Sequence, residues 1–333
     1  MAISNDLLSS TLFSIRDGEV DELFQKVAFL DNAKKFNGLE YEDGGIKIQR
    51  PLSIAEHSSI TSLPTGYEAV NLAVKDVLQP AIYNWADFTA PIVITKKEEL
   101  ENKGEKAIVK IVEARMRSVM GMLRRELNKQ ILAGSSTILT TVNTLNGAKT
   151  GGFLEKDGTQ VNDVGGVSKS TYAVNGWNNQ YANVASKFGD DGIRLMQQMA
   201  IKANTVTHMG EVQCVLLSEA TMANYRRALF AQERYINEKT LDGGRMQLAF
   251  GGAVVEQDLE LGFAYDGSTT VSGYFLNFDG VKMVMHKDAD FAVSPFEHIS
   301  GTTARAAQLY VKMQLIADHL GSQGILLNAD TWS

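Results

Sequence analysis

The chain has 333 residues and a formal net charge of −7, with 44% hydrophobic and 21% charged residues. This mixture is typical of a folded globular protein with one large domain or two ordinary ones. The acidic balance argues against a general nucleic-acid binder, because affinity for the phosphate backbone requires clustered Lys and Arg. No apolar stretch reaches the roughly eighteen residues of a membrane span, and the N-terminus shows no secretory signal, so we expect a cytosolic protein without a membrane partner.

Residues 1–40 combine a polar sequence with scattered apolar anchors, and they end at Asn37-Gly38. The anchors are Leu23, Phe24, Val27, Phe29 and Leu30. This pattern is typical of an arm with one short helix.

The stretch GGIKIQRPL (44–52) predicts a strand that needs a partner. Period-two alternation places Ile46 and Ile48 on one face, with Lys47 and Gln49 on the other. The residues that follow, up to position 95, are mostly polar, contain three prolines and form no core helix. Because an isolated strand pair is marginal in water, we expect its partner elsewhere in the fold or on another chain.

A long helix is predicted from Lys106 to Ala133. Its apolar residues fall at positions 108, 111, 112, 119, 120, 123, 127 and 131, which is one helical stripe. Such a helix would be about 42 Å long, and Gly134 would end it.

The second half of the chain is predicted to form a compact α+β unit. Residues 135–179 are rich in Gly, Asn, Thr and Ser, so loops and short strands such as ILTTV (138–142) are expected there. Helices and strands then alternate irregularly, which favours the α+β class. We predict helices at 190–203 and 218–230, the second capped by Ser218, and strands at 212–217, 246–256, 272–285 and 304–316.

No sequence motif for catalysis or metal binding is present in full. NGAKTGG (146–152) departs from a phosphate loop at Ala148, and a turn explains it better. The five histidines never stand three to five residues apart, and Cys214 lies in the apolar run VQCVLL, which favours a buried side chain. We therefore predict a protein that is not an enzyme and has no catalytic residue, cofactor or metal site.

Arginines cluster on the long helix, where Arg124 and Arg125 follow Arg115 and Arg117. Glu113 precedes Arg117 by four residues, so a solvated, salt-bridged helix face is one interpretation. Contact with an acidic neighbouring subunit is the other.

Several short motifs occur in series along the chain. They are WNNQY (177–181), ERY (233–235), DGGRMQLAFGGAVVEQD (242–258), YFLNFDGVKMVMH (274–286), DFAVSPF (290–296) and QLIADHLGSQGIL (314–326). In these motifs and in the order of its parts, essentially the whole chain resembles the major capsid protein of tailed double-stranded DNA bacteriophages, which has the Hong Kong 97-type fold.

The resemblance implies an α+β fold of five parts. These are an N-terminal arm at 1–40, an extended β loop at 41–96, a peripheral domain with a long spine helix at 97–177, an axial domain at 178–288, and a return to the peripheral domain at 289–333.

The resemblance also implies a structural function. The chain would assemble in the host cytoplasm into hexamers and pentamers of an icosahedral head, and so become part of the virion. In that family the extended loop lies across a neighbouring subunit, which would bury Ile46 and Ile48 on another chain. The residues expected at contacts between subunits are Phe24, Ile46, Lys47, Ile48, Arg50, Pro51, Leu52, Glu56, Arg124 and Arg125.

The expected partners follow from the same resemblance. Some family members carry a fused scaffolding segment before the arm, whereas this sequence places only the arm before its loop, so a separate scaffolding protein and a portal are expected. A decoration protein is left open. Packaged double-stranded DNA is expected to be enclosed without sequence-specific binding. Lys47 or Lys75 could be the loop lysine of a covalent cross-link, but no Asn and Glu partners match, so non-covalent locking is expected.

Two other functions stay open. One keeps the fold and encloses protein cargo, as in a nanocompartment shell of the encapsulin type. The other is an unrelated α+β enzyme with a dispersed site, whose mark would be a deep pocket lined by titratable groups of perturbed pKa.

Overall fold

The computed structural model describes residues 27–54, 62, 66, 77–101, 105–158, 163–173, 175–185, 187–205, 210–231, 239–240 and 246–332. In this part of the chain, two β-sheets of six and seven strands form the body. The six-stranded sheet, the long helix and one face of the seven-stranded sheet share a single hydrophobic core.

The six-stranded sheet is built around one long strand, β16 (Ala304–Ala317), which confirms the strand predicted there. Its side chains alternate, so that Leu309, Val311 and Met313 are buried. One edge of β16 pairs antiparallel with β4 over ten residues. The other strands of this sheet are β1 (Leu39–Glu42), β4 (Ala86–Thr95), β13 (Val281–His286), β14 (Ala292–Val293) and β15 (Glu297–His298), with β1 parallel to β13 and the last three antiparallel to β16.

The seven-stranded sheet has the order β7-β17-β12-β8-β11-β10-β9. Its central strand β8 is buried at every residue, as expected where both faces of a sheet are covered. Val215 and Leu217 pack in a core with two helices, whereas Cys214 and Leu216 face the core shared with the six-stranded sheet. The strands are β7 (Gln180–Asn183), β8 (Cys214–Leu217), β9 (Lys239–Thr240), β10 (Met246–Phe250), β11 (Ala253–Gln257), β12 (Val271–Leu276) and β17 (Gly324–Leu327).

The predicted long helix is confirmed as Glu105–Ala133. Val112, Met116 and Leu127 are fully buried and recur at helical spacing, so one stripe of the helix faces the core. The helix ends where Gly134 adopts a φ of +65°, a left-handed conformation that favours glycine.

Side-chain caps explain where two other helices begin. The Ser218 hydroxyl accepts a hydrogen bond from the Thr221 N–H at 3.2 Å, which confirms the predicted cap. Thr95 and Glu98 form a capping box, in which the Glu98 carboxylate accepts from the Thr95 N–H at 3.0 Å and the Thr95 hydroxyl accepts from the Glu98 N–H at 3.4 Å. The remaining described helices are Ala28–Lys35, Lys96–Glu101, Lys169–Tyr172, Ile193–Thr205, Glu219–Ala231, the π-helix Phe188–Gly192 and the 3-10 helix Lys287–Ala289.

The segment after the long helix differs from the prediction. Residues 138–142 form turns and not the expected strand, and the short strands here are β5 (Thr144–Asn146) and β6 (Gly152–Leu154). The Val142 carbonyl accepts a hydrogen bond from the Gln130 side chain at 2.6 Å. A side chain of the long helix thus satisfies a carbonyl that a strand partner would otherwise bind.

Two predicted strands are each divided by a turn. The stretch 246–256 is two strands, because Gly251 and Gly252 both adopt positive φ between β10 and β11. The stretch 272–285 is likewise two strands, β12 and β13, which belong to different sheets.

The described part of the arm is docked on the body of its own chain. The predicted short helix is Ala28–Lys35, and Phe29 and Leu30 are buried in the shared core. The Asn32 side chain donates a hydrogen bond to the Glu256 carboxylate at 2.8 Å. The arm therefore contacts both sheets, through this helix and through β1.

Candidate assembly interface

Two strands form a separate antiparallel sheet within the segment predicted to be the extended loop. They are β2 (Lys47–Ser53) and β3 (Leu78–Asn84), with Lys47 opposite Asn84 and Ser53 opposite Leu78. Side chains alternate between two faces of this β2–β3 pair. The inner face consists of Ile48, Arg50, Leu52, Gln79, Ala81 and Tyr83, and the outward face of Lys47, Gln49, Pro51, Ser53, Leu78, Pro80, Ile82 and Asn84.

The inner face is buried by the chain's own core. Ile48 is 0% exposed, and Leu52 and Tyr83 are also buried. The Tyr83 hydroxyl donates a hydrogen bond to the Ala317 carbonyl at 2.8 Å, at the end of β16. The prediction that Ile48 is buried by another chain is therefore wrong, because residues far away in the same sequence cover it, and Leu52 lies in the same core.

A glycine loop fixes the position of β3. The Ile82 N–H donates a hydrogen bond to the Gly165 carbonyl at 2.8 Å. Gly165 has a φ of +61°, and a Cβ atom built there would lie 2.8 Å from the Ala81 Cβ. Only glycine permits this approach. The Asn175 side chain donates to the Ile54 carbonyl, which attaches the chain just beyond β2 as well.

The short helix after this loop begins with a buried cation, Lys169. Its ammonium donates to the Phe153 carbonyl at 2.5 Å and lies 3.5 Å from the Glu155 carboxylate. Burial lowers the pKa of Lys169 to about 8, and attraction to Glu155 and Asp163 opposes only part of that effect. The Phe153 ring packs against Tyr83, so this ion pair supports the inner face of the β2–β3 pair.

Arg50 is the one charged residue of the inner face, and it lies among three carboxylates. Its Nη2 is 2.9 Å from Glu40 and 3.0 Å from Glu42, both on β1, and its Nε is 3.7 Å from Asp318. Lys282 on β13 lies 3.6 Å from Glu40 and 3.4 Å from Asp318. Arg50 was predicted at a contact between subunits, whereas its guanidinium is engaged within its own chain. These five residues are called the Arg50 network below.

The outward face carries large apolar side chains that stay exposed. Leu78 is 54% exposed and Ile82 is 43% exposed, and Ile46, just before β2, is 93% exposed. Pro51 and Pro80 are exposed and stand opposite each other in the register. Large apolar side chains grouped in this way mark an interaction surface.

The two prolines limit pairing at the edges of this small sheet. The Ile82 N–H points away from β2 towards Gly165, so the backbone nitrogen of Pro80, two residues earlier, points to the same outer edge of β3. The backbone nitrogen of its partner Pro51 points to the opposite edge, that of β2. Because proline has no N–H, each edge lacks a donor there, which resists uncontrolled addition of strands. Contact through the outward face is therefore favoured over contact through an edge.

A second apolar surface lies between the long helix and β4. It is a groove of about 300 Å³, and Glu126 is the one charged residue in its lining. Met122 and Ile138 are exposed along it. The other lining residues are Phe88, Thr89, Ala90, Pro91, Val119, Leu123, Leu139, Leu309 and Val311.

The predicted contact residues fall in four groups. Ile46, Lys47 and Pro51 are exposed on or beside the outward face. Arg124 is half-buried and Arg125 exposed on the long helix, and neither forms a salt bridge within the described residues. Ile48, Arg50 and Leu52 are engaged within their own chain, and Phe24 and Glu56 lie outside the described residues.

The sequence interpretation missed the outward residues of β3, which are Leu78, Pro80 and Ile82. Their signal was present in LQPAIYN (78–84), which alternates as β2 does. An extended β loop was predicted over this segment, but the predicted contact residues came from the first strand and not from this one. Proline is tolerated in such a strand where its missing N–H would face an edge.

The described residues show no arrangement that suggests catalysis. No group of three or more His, Cys, Asp or Glu among them could hold a metal ion, and no helix in the same ranges is long and apolar enough to cross a membrane. A cavity of about 500 Å³ between Ile193–Thr205, Glu219–Ala231 and the β10–β11 turn has no charged lining residue. Its one titratable residue is Tyr225, whose pKa is raised by burial alone.

Comparison with known proteins identifies the fold of the chain through solved structures. No family model and no curated protein matches the chain. Among solved structures, the capsid of the empty GTA particle matches with a TM-score of 0.58 and 11% identity, over 89% of each chain. The cyanophage A-1(L) capsid matches with a TM-score of 0.56 and 13% identity, over 91% of this chain and 93% of that one.

A shell protein of another kind is also similar. The SrpI encapsulin from Synechococcus elongatus PCC 7942 matches with a TM-score of 0.52 and 10% identity, over 89% of this chain and 86% of that one. Matches of this length and low identity establish the fold. The chain has the Hong Kong 97-type fold of phage capsid and encapsulin subunits, and the fold class predicted from the sequence is confirmed.

Proposed function

We propose that this chain is the major capsid protein of a tailed double-stranded DNA bacteriophage, and that it assembles into the hexamers and pentamers of an icosahedral head. The observation that carries the proposal is a match along about nine-tenths of the chain to phage capsid subunits. The exposed apolar side chains of the outward face support it, because an exposed group of large apolar side chains marks an interaction surface.

The proposed division of the chain keeps the five parts implied by the resemblance. Residues 1–40 are the arm, 41–96 the extended loop, 97–177 the peripheral domain, 178–288 the axial domain, and 289–333 the return to the peripheral domain. β4, at the end of the second part, pairs with β16 and so belongs to the body. Within the described part of the extended loop, the β2–β3 pair presents the exposed outward face.

The outward face is the proposed contact with a neighbouring subunit. Ile46, Pro51, Leu78 and Ile82 would supply apolar area there, and Lys47 is the one charge among the described residues of this face. Because subunits of a closed shell meet through different surfaces, each chain would use this face on one neighbour and receive it from another.

Arg124 and Arg125 are proposed as a second contact on the long helix, facing acidic side chains of a neighbour. Further partners are a separate scaffolding protein and a portal. The shell would form in the host cytoplasm, become part of the virion and enclose DNA without reading its sequence, as the net charge of −7 suggests.

Substitution of Ile82 tests this function. Ile82→Asp places a charge on the outward face, and we expect normal folding but loss of capsomers and shells in sedimentation and electron microscopy. Ile82→Val keeps the face apolar and is the matched control, expected to assemble as the natural chain does. Shells of normal size and yield from Ile82→Asp would refute the outward face as a contact.

A protein-cargo shell is the second candidate, favoured by the similarity to the SrpI encapsulin. The two candidates differ in content. Nuclease-protected DNA in particles formed with the natural packaging partners supports the capsid protein, and a co-purifying folded enzyme with no protected DNA supports the cargo shell.

A further inference from the structure

We propose that Arg50 is a positioning residue, which centres the β2–β3 pair on the body of the subunit and so sets the direction in which the outward face points. This role is distinct from the contact between subunits for which the sequence suggested Arg50. It rests on the positions of the five side chains of the Arg50 network, which come from β1, β2, β13 and the end of β16.

The apolar contacts of the inner face hold the pair down without fixing its angle. Ile48, Leu52 and Ala81 are buried, but hydrophobic contact is non-directional and depends mainly on the area removed from water. A two-stranded sheet has no further strand of its own to restrict rotation. The hydrogen bonds of Ile82 to Gly165 and of Tyr83 to Ala317 fix β3, whereas on β2 Arg50 is the one polar side chain of the inner face and so can define the angle of that strand.

The Arg50 network supplies attraction from two sides. Glu40 and Glu42 belong to β1, and Asp318 follows β16. Since β1 and β16 pair with opposite edges of β13, these carboxylates flank that strand, and Lys282 on β13 bridges them. Movement of Arg50 towards β1 is blocked because its Nη2 already contacts Glu40 and Glu42 at 2.9 and 3.0 Å, and movement towards Asp318 stretches these two contacts and weakens their attraction, so Arg50 is held between the two sides.

The network holds by charge more than by aligned hydrogen bonds. The Nε and Nη2 atoms of Arg50, the Oε2 of Glu40 and the Oδ1 of Asp318 are buried atoms that make no hydrogen bond of good geometry within the described residues. Charge attraction falls gradually with distance, so it tolerates small changes of angle. The Tyr83 hydrogen bond to the Ala317 carbonyl and the contact of Arg50 with Asp318 both lie at the end of β16. The β2–β3 pair would therefore turn about this point.

The consequence for assembly rests on the proposed function. A closed shell of hexamers and pentamers presents neighbours at somewhat different angles, and a centred but tolerant β2–β3 pair suits both. Without the centring charge, the outward face would sample orientations that cannot bind a neighbour, which lowers the apparent affinity.

Double electron–electron resonance measures the distance between two spin labels, and on unassembled chains it reports the orientation of the β2–β3 pair. Spin labels at Ser53→Cys on β2 and Ser118→Cys on the long helix occupy exposed positions, and the natural Cys214 is buried and does not compete. We expect Arg50→Met to widen the distance distribution and to lower the association constant for assembly at least about tenfold. Arg50→Lys, which keeps the charge, should restore a narrower distribution.

Arg194→Met is the matched control, since it removes a cation from an exposed salt bridge with Asp191 far from this network in sequence. If Arg50→Met does not fold, Asp318→Asn removes one flanking carboxylate and should shift the mean distance. An unchanged distance distribution in both Arg50→Met and Asp318→Asn would overturn the proposal. Failure of the natural chain to assemble would instead refute the proposed function, and the distance measurement would still decide the role of Arg50.

Discussion

At the scale of single residues, Lys169 carries a positive charge in a place that is fully buried. In the folded chain its ammonium contacts the Phe153 carbonyl and the Glu155 carboxylate instead of water. Removing two charges from water is costly, and their attraction offsets that cost only partly. The lowered pKa of Lys169 expresses this balance, and it leads to two tests of stability.

The first test is the dependence of stability on pH. The folded chain releases the Lys169 proton at a pKa of about 8, whereas the ordinary value is 10.5. Between these values the unfolded chain binds more protons, so the free energy of unfolding rises as the pH is raised through this window. Burial raises the pKa of Cys214 and of Tyr274, which act in the opposite direction at the upper end of this window, so the test is a comparison. In urea unfolding followed by circular dichroism, the pH slope of the natural chain should be more positive than that of Lys169→Met. Equal pH slopes would contradict it.

The second test removes the pair stepwise. Lys169→Met leaves the Glu155 carboxylate buried without its cation, and we expect a loss of about 3–5 kcal/mol in the free energy of unfolding. Adding Glu155→Leu removes the stranded charge and should recover most of that loss. A double variant as unstable as the single one would show that packing, and not charge, determines the effect.

At the scale of elements, the two faces of the β2–β3 pair have opposite energetic roles. Ile48 lies in the core of its own chain and Ile82 on the exposed outward face, although their side chains are alike in chemistry. We predict that Ile48→Asp loses at least about 3 kcal/mol of subunit stability, because it buries an unpaired charge. Ile82→Asp should leave the unfolding midpoint nearly unchanged. Chemical denaturation of both variants, with equal losses as the contradicting result, decides the assignment of faces.

The elements that could be predicted from the sequence have strong local periodicity. The long helix of 29 residues repeats apolar residues at helical spacing and has a glycine at its end, and β16 alternates from Ala307 to Met313. The cap at Ser218 is also a local signal. Each of these depends on neighbours within a few residues, which a single sequence contains.

The partner of the inner face could not be predicted, because it is assembled from distant residues. Tyr83 bonds to Ala317 across 234 positions, and Arg50 reaches both Glu40 and Asp318. The alternation of Ile46 and Ile48 correctly indicated a need for burial, but it contained no information about which surface supplies it. Ile46 also precedes the strand, so the two side chains do not share an environment.

At the scale of the whole molecule, we predict that folding requires one part of the extended loop and not another. Ser53 and Leu78 are paired, so a short Gly/Ser linker can join them in place of residues 54–77. We expect this variant to fold, with a modest loss of stability because buried Ile54 is removed. Replacing residues 46–90 instead removes buried Ile48 and Tyr83 and half of β4, and that variant should not fold. Thermal melting by circular dichroism checks both, and two cooperative melts would contradict this division.

The central claim is that this subunit closes into a shell through its outward face. Cryo-electron microscopy of particles assembled from the natural chain, with a scaffolding protein supplied, tests it most directly. We expect closed icosahedral shells in which Ile46 and Ile82 are covered by a neighbouring chain, while Ile48 stays in its own core. Particles in which the outward face remains exposed to solvent, or a chain that stays monomeric over a broad range of concentration and salt, would contradict it.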